Sequence, residues 1–447
     1  MSTIVALSTP RGRGAIGVIR LSGPSALSIV QSLTLHHGEY EPRRATLAQV
    51  KHGPHGEILD EVIVTFFKSP HSLTGEDVVE IACHGSLPII GQIVEMSLHL
   101  GARLAGPGEF TLRAVANRKI DLVEAEAIRD LIDSQTQAAA KQAARQLNGE
   151  LSSTLDPLKN ILVEVIVLLE SAVEFVEDDL PETSAAAVET KLRQLASAVR
   201  RLADSYSAGH LLHDGVKVAI IGRPNVGKSS LFNRLVARDR AIVTDVPGTT
   251  RDTLTESVDL GGIPMILTDT AGQRSTRDDI ESLGIERAQQ AMSDADLILL
   301  VLDGTTSLSA DDRDLMYRTD GSRRLVVINK CDVPSFSNGA LSGAPGSVKV
   351  SAKTGEGIEE LRSSMLAQFD SRIDSAGLLI TNARHHDLLC RAHVEVESAI
   401  CALREHRSEE LVLVPLHNTL RYLGEITGET TTEDILSKIF STFCIGK

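Results

Sequence analysis

Gly222-Arg223-Pro224-Asn225-Val226-Gly227-Lys228-Ser229 fits the pattern G-x-x-x-x-G-K-[ST] of a phosphate-binding loop. The apolar run at 216–221 predicts a strand leading into it, and 230–237 predicts a helix leading out. In that setting the glycines let the backbone wrap a polyphosphate. Its N–H groups turn inward, and the positive end of the helix dipole adds to them. Lys228 is placed to reach the β- and γ-phosphates, and the Ser229 hydroxyl to ligate Mg²⁺.

Four further motifs follow in order: Thr249-Thr250, Asp269-Thr270-Ala271-Gly272, Asn329-Lys330-Cys331-Asp332 and Ser351-Ala352-Lys353. Each falls at the C-terminal end of a predicted strand or in the loop after it, where α/β sheets place ligands. Asp332 is positioned to accept from a guanine N1–H and 2-amino group, a donor pair that adenine lacks. Asn329 and 351–353 complete the base pocket. Asp269 holds Mg²⁺ through water, and Thr250 ligates it only while a γ-phosphate is present, which is the logic of a switch. The residues expected around GTP are therefore Asn225, Val226, Gly227, Lys228, Ser229 and Ser230, then Thr244, Asp245, Val246, Pro247, Gly248, Thr249 and Thr250. Asp269, Thr270, Ala271, Gly272, Asn329, Lys330, Cys331, Asp332, Ser351, Ala352 and Lys353 complete the set.

The rest of the chain frames this region. Its 447 residues allow two or three domains. Hydrophobic residues make up 42 %, with no run long enough to span a membrane. The first residues carry no basic region ahead of a long apolar stretch, so no signal peptide is expected, and the odd, scattered cysteines point to a reducing cytoplasm. Five scattered cysteines without a C-x-x-C pair argue against a disulfide framework or a zinc site. A net charge of −15 argues against a broad nucleic-acid surface, though not against a local basic patch.

Residues 1–117 mix short strands with a helix at 88–100 and predict an α+β domain. From 118 to 213 helical spacing dominates, with helices at 158–176, Pro157 in the first turn, and at 188–210. Residues 214–372 alternate strand and helix, which predicts a mostly parallel, doubly wound sheet. Residues 373–447 return to helix. The economical reading is an α/β G domain inserted into one helical domain. Gly12, Gly14 and Gly17 have dinucleotide-fingerprint spacing but lead towards a strand, so no dinucleotide site is expected there.

The ordered motifs resemble the translation-factor-related GTPases. In one group of these an Asn at the place of Asn225 helps to hold K⁺ beside the phosphates. Thr244, the Val246 backbone carbonyl and Thr249 match the loop that completes such a site. Gln273, directly after the Asp-Thr-Ala-Gly motif, is where signalling GTPases orient the attacking water. The terminal Phe443-Cys444-Ile445-Gly446-Lys447 narrows the resemblance. So do Arg20-Leu21-Ser22-Gly23-Pro24, Thr74-Gly75-Glu76-Asp77, His84-Gly85, Gly108-Glu109-Phe110-Thr111 and Leu122–Ala127. With these the whole chain resembles the MnmE/TrmE family of tRNA uridine-modifying GTPases.

That resemblance implies a Ras-like G domain, a helical domain and an N-terminal folate-binding-like domain that forms a homodimer. It implies a 5,10-methylene- or 5-formyl-tetrahydrofolate held by Arg20, Glu80, Lys119 and Lys447. The partner would be a flavoprotein (MnmG/GidA) carrying FAD, in a heterotetramer that adds an aminomethyl-type group to C5 of the wobble uridine of certain tRNAs. That family is similar in using a Glu further along this switch, at the place that Glu281 matches, and usually has an apolar residue where Gln273 stands; Gln273 is a departure, and the sequence offers both residues as candidates for positioning the water. Cys444 has two readings, a reactive thiolate near the folate and a small buried hydrophobe. The alternatives are a ribosome-assembly GTPase that binds RNA, and a scaffold or signalling GTPase that modifies nothing.

Overall fold

The structure is a computed structural model that describes residues 2–52, 56–174, 182–239, 254–269, 290–336, 347–369, 377–429 and 433–446. The chain divides into two compact units: residues 1–129, 147–152 and 423–447 form the first, and 130–146 and 153–422 the second.

The first unit is built on a six-stranded sheet in the order β3-β4-β5-β2-β1-β6. Its strands are β1 (Ile4–Leu7), β2 (Ile16–Ser22), β3 (Ala45–His52), β4 (Glu57–Phe67), β5 (Val78–His84) and β6 (Arg103–Leu104). Every pairing is antiparallel except β1 with β6. Alternate residues of β2, β4 and β5 are buried, and they pack with helices α1 (Ala26–Leu33) and α2 (Leu87–His99) in one core containing Ile19, Leu21, Val64, Ile81 and Ile93. The opposite face keeps Ile16 and Leu47 each 64 % exposed and Ile63 46 % exposed. Helix α3 (Glu109–Ala116) and the start of α4 (Leu122–Asp133) complete the unit. Residues 433–446 join them: Phe440 and Phe443 are buried against Leu122 and Ala125.

The second unit carries a six-stranded sheet in the order β12-β11-β10-β7-β9-β8. Its strands are β7 (Val216–Ile221), β8 (Leu254–Leu260), β9 (Ile263–Asp269), β10 (Leu297–Asp303), β11 (Arg324–Asn329) and β12 (Ser347–Lys349). All pairs are parallel except the β8–β9 hairpin at one edge, the topology of a Ras-like G domain. In β10 Leu297–Leu302 are all buried, as expected of a central parallel strand covered on both faces. Helices α9 (Lys228–Asp239), α10 (Ala310–Arg318) and α11 (Ile358–Leu366) belong to this sheet.

The helical part of the unit contains α7 (Glu182–Asp204), α8 (Tyr206–Asp214), α12 (Ala383–Arg404) and most of α5 (Gln137–Leu147), α6 (Glu150–Glu174) and α13 (Glu409–Thr427). Helix α14 (Glu433–Phe440) lies in the first unit. Two expectations change. Pro157 sits inside α6, not in its first turn. Leu151 and Leu155 are fully buried, and that burial holds the residues ahead of the proline in helix. The segment expected as one helix over 188–210 is two, α7 and α8, which part at Ser205.

After the G-domain sheet the chain returns at 377–381 against α5 and α8. Gln142 Nε2 donates to the Gly377 carbonyl at 3.0 Å, and Gln146 Nε2 to Thr381 Oγ1 at 3.0 Å. A Cβ on Gly209 would lie 2.1 Å from the Ile380 carbonyl oxygen, so α8 can approach this segment only with glycine there.

Candidate nucleotide and anion sites

Strand β7 ends at Ile221 and the loop turns at once. Gly222 has φ 155° and Gly227 φ 98°, and a Cβ on Gly227 would lie 2.2 Å from Asn329 Nδ2. Asn225 has φ 62°, a left-handed conformation that asparagine tolerates better than most residues. Its side chain is exposed, as are Ser229 and Ser230 in the first turn of α9, while Val226 is buried. Lys228 is 8 % exposed, and its Nζ donates to the Gly222 carbonyl at 2.8 Å and the Arg223 carbonyl at 2.9 Å. The lysine therefore lies across its own loop, at the N-terminal end of α9 where anions are favoured.

The base-side motifs converge on the same loop. Asn329 ends β11, is 2 % exposed, and donates from Nδ2 to the Val226 carbonyl at 2.8 Å. Its Oδ1 accepts from the Ala352 backbone N–H at 3.0 Å. One amide thus ties the phosphate loop to the 351–353 loop. Ser351 is fully buried, and its hydroxyl donates to Asp332 Oδ1 at 2.7 Å, fixing that carboxylate. Lys330 has φ 70° and pairs with Asp303 at 2.6 Å. Burial pushes the Asp303 carboxyl up, but hydrogen bonds from Lys330 and Thr305 and the lysine charge outweigh it and leave its pKa lowered. Burial, then the Glu356 and Asp332 charges, raise the Cys331 thiol.

Three supports were not expected from the sequence. Arg223 donates from Nη2 to Thr306 Oγ1 at 2.6 Å, and its Nε lies 3.3 Å from Asp312, the buried acid of the Ser309 capping box. Asp303 orients Lys330, and Arg234 on α9 donates to the Ala352 carbonyl at 3.1 Å and to that of Lys353. Each is an ordinary charged residue in sequence, and spacing does not show which group it meets.

Thr244–Thr250, Thr270, Ala271, Gly272, Gln273, Glu281 and Lys447 lie outside the described residues. The Asp269 backbone closes β9 in register with Ile220, two positions before Gly222.

In the first unit Arg20 and Glu80 are directly opposite in the β2–β5 register. Arg20 donates from Nε to Glu80 Oε1 at 2.9 Å, and its Nη2 lies 2.8 Å from the same oxygen. Arg20 also donates to the Gly446 carbonyl at 3.3 Å and stands 5.7 Å from the Phe110 ring centroid. Ser8 Oγ donates to the same Gly446 carbonyl at 3.1 Å. The C-terminal segment is thereby brought to the carboxylate–guanidinium pair. Lys119 is exposed, and the Gly75 side of its stem is tight, 3.2 Å from a Cβ built there. Cys444 is exposed while Phe443 and Gly446 beside it are buried, so the reading of this thiol as a buried hydrophobe does not hold. Gly12, Gly14 and Gly17 lead into β2, a strand, as expected.

Among the described residues no group of acidic, His and Cys side chains could hold a metal, and no helix is long and apolar enough to cross a membrane.

The whole chain is similar to known proteins. The family model described as the MnmE helical domain matches residues 122–444, and that described as the GTP-binding protein TrmE N-terminus matches 3–119. The tRNA modification GTPase MnmE of Koribacter versatilis is 46 % identical over 100 % of this chain and 99 % of its own. That of Aquifex aeolicus is 42 % identical over 99 % of each chain. That of Thermotoga maritima is 43 % identical over the full length of both.

Proposed function

Because the chain belongs to the MnmE/TrmE family of tRNA modification GTPases, we propose that its GTP cycle drives modification of C5 of a tRNA wobble uridine, together with a flavoprotein partner that carries FAD. The observation that carries the G-domain part is the Asn329 bridge, which joins the phosphate loop to the base-side loop in one site.

Guanine is selected by Asp332, held in place by the Ser351 hydroxyl. Lys228 neutralises the β- and γ-phosphates, and loop N–H groups orient them. The exposed Ser229 hydroxyl at the start of α9 is a hard oxygen donor suited to Mg²⁺, with Asp269 and Thr250 completing its surroundings. Mg²⁺, when bound, offsets phosphate charge. Asn225 presents an exposed amide oxygen donor suited to K⁺, which Thr244, the Val246 carbonyl and Thr249 would join. K⁺ supplies positive charge where other GTPases use an arginine finger. Glu281 positions the water, with Gln273 as the competing residue.

The Arg20–Glu80 pair fits a tetrahydrofolate. An accessible carboxylate suits the amide-amidine edge of a pterin, and a guanidinium suits an anionic glutamyl tail. Lys119, Lys447 and the Cys444 thiol belong to the same proposed site. The folate, when bound, supplies a one-carbon unit.

The homodimer is supported by the open face of the first sheet. Leu47 pairs across to Ile63, Ile63 to Ala82, and Ala82 to Val18, which makes an apolar row beside exposed Ile16. A second copy of this domain is the proposed cover.

The test is mass spectrometry of tRNA nucleosides from a deletion strain. Loss of the wobble-uridine modification, restored by this chain, is expected. An unchanged nucleoside profile would refute the proposal.

A further inference from the structure

We infer that the corner between α4 and α5 is the joint that links the G-domain sheet to the helices, and that Thr136 is its positioning residue. The inference rests on the GTP-driven modification just described. Thr136 is 6 % exposed, and one hydroxyl serves two elements. It donates to the Gly262 carbonyl at 2.7 Å and accepts from the Ala139 N–H at 3.2 Å, so it caps the start of α5 while gripping the β8–β9 hairpin. The approach is close. Gly262 has φ 92°, and a Cβ there would lie 2.9 Å from the Ala138 Cβ. Ala139 is part of the core that contains Val258, Leu260 and Ile263 of the hairpin.

A second contact from the same corner reaches the last turn of α8, which leads into β7. Asp130 lies 3.1 Å from His213 Nε2, whose Nδ1 is 2.7 Å from Asp214. Gly215 follows, tight against the Pro264 carbonyl, and β7 begins beside β9 with Val216 opposite Met265. The corner therefore holds the bases of β7 and β9 together.

The far ends of these two strands are the nucleotide end. Ile220 pairs with Asp269, and the phosphate loop starts at Gly222. Strand β9, with Met265 and Leu267 buried, runs from the Gly262 turn that Thr136 grips to that end. A change in position of Asp269 on GTP turnover is carried to α5 as tension on the Thr136–Gly262 bond. Helix α5 passes it on through Gln142 and Gln146 to the 377–381 segment.

The test uses the full-length protein with Thr136→Val, which keeps the shape and removes the hydroxyl, and Thr136→Ser, which keeps the hydroxyl. Purified variants are assayed for the kcat and KM of GTP hydrolysis and for melting temperature. Modified nucleosides are measured in cells whose only copy is the variant. For Thr136→Val, kcat and KM within two-fold of wild type and a five-fold or greater loss of modified nucleoside are expected; Thr136→Ser restores modification. Full modification with Thr136→Val overturns the inference. So does a parallel fall of GTP turnover, modification and folded protein, which makes Thr136 a helix cap alone. The wild-type chain in the same cells reports separately on the modification activity itself. Asp130→Asn, which weakens the second contact of the corner, is expected to reproduce the split, and equal losses in both activities count against it.

Discussion

Asn329 donates to the Val226 carbonyl across 2.8 Å, although the two residues stand 103 positions apart in the chain. The same amide accepts from Ala352. Asn329→Ala removes both bonds and leaves a buried carbonyl and N–H without partners. A loss of roughly 2–4 kcal/mol is expected, read as a lower melting temperature of the G domain and at least ten-fold weaker GTP binding by fluorescence titration.

Asp332 is fixed by the Ser351 hydroxyl before any base arrives. Asp332→Asn replaces an acceptor pair with one acceptor and one donor. GTP binding is expected to weaken about 100-fold, and xanthosine triphosphate, which offers an acceptor at C2, to gain. Competition between the two nucleotides measures this, and unaltered preference would place guanine selection elsewhere.

Hydrolysis separates Glu281 from Gln273. Glu281→Ala is expected to cut kcat ten-fold or more with little change in GTP affinity, and Gln273→Ala to leave kcat near wild type. The reverse result would exchange the two roles.

His213 makes stability depend on pH. The hydrogen bond and charge of Asp130, then Asp214, outweigh burial and raise its pKa from 6.5 to about 9. A raised folded pKa stabilises the protein most fully below 6.5, and the contribution declines across 6.5 to about 9 and is gone above. It amounts to up to about 3 kcal/mol. Chemical denaturation across that range should show the decline, and His213→Gln should flatten it.

Gly446 has φ 99°, and a Cβ would lie 2.2 Å from the Leu7 carbonyl oxygen. Gly446→Ala must displace the segment that meets Arg20. Binding of 5-formyl-tetrahydrofolate, followed by calorimetry, is expected to weaken ten-fold or more while GTP turnover holds. Unchanged folate binding would show that this seating is dispensable.

Local chemistry made much of this legible in sequence. The apolar run of β10 declares a doubly covered strand, and the glycines around Lys228 declare a loop. Strand β8 was not legible, because Leu-Thr-Glu-Ser-Val-Asp-Leu is an edge strand with a half-polar pattern. Pro157 misled because proline marks first turns by local energetics, whereas the buried leucines ahead of it act through tertiary packing. The nucleotide motifs were readable as residue types at fixed spacing. Their supports, Arg223 with Asp312 and Thr136 with Gly262, depend on which loops meet, and spacing carries no such information.

The seating of Gly446 against Ser8 also sets an order of events in synthesis. The two residues are 438 positions apart, so at ordinary elongation rates the first waits roughly 20–90 s for the second. Until then Leu122 and Ala125 lack the Phe440 and Phe443 side chains that cover them. The N-terminal domain begins folding first and finishes last. A chain cut short before residue 440 would expose this apolar surface, which gives the cell's proteases and chaperones a means of telling it from the finished protein.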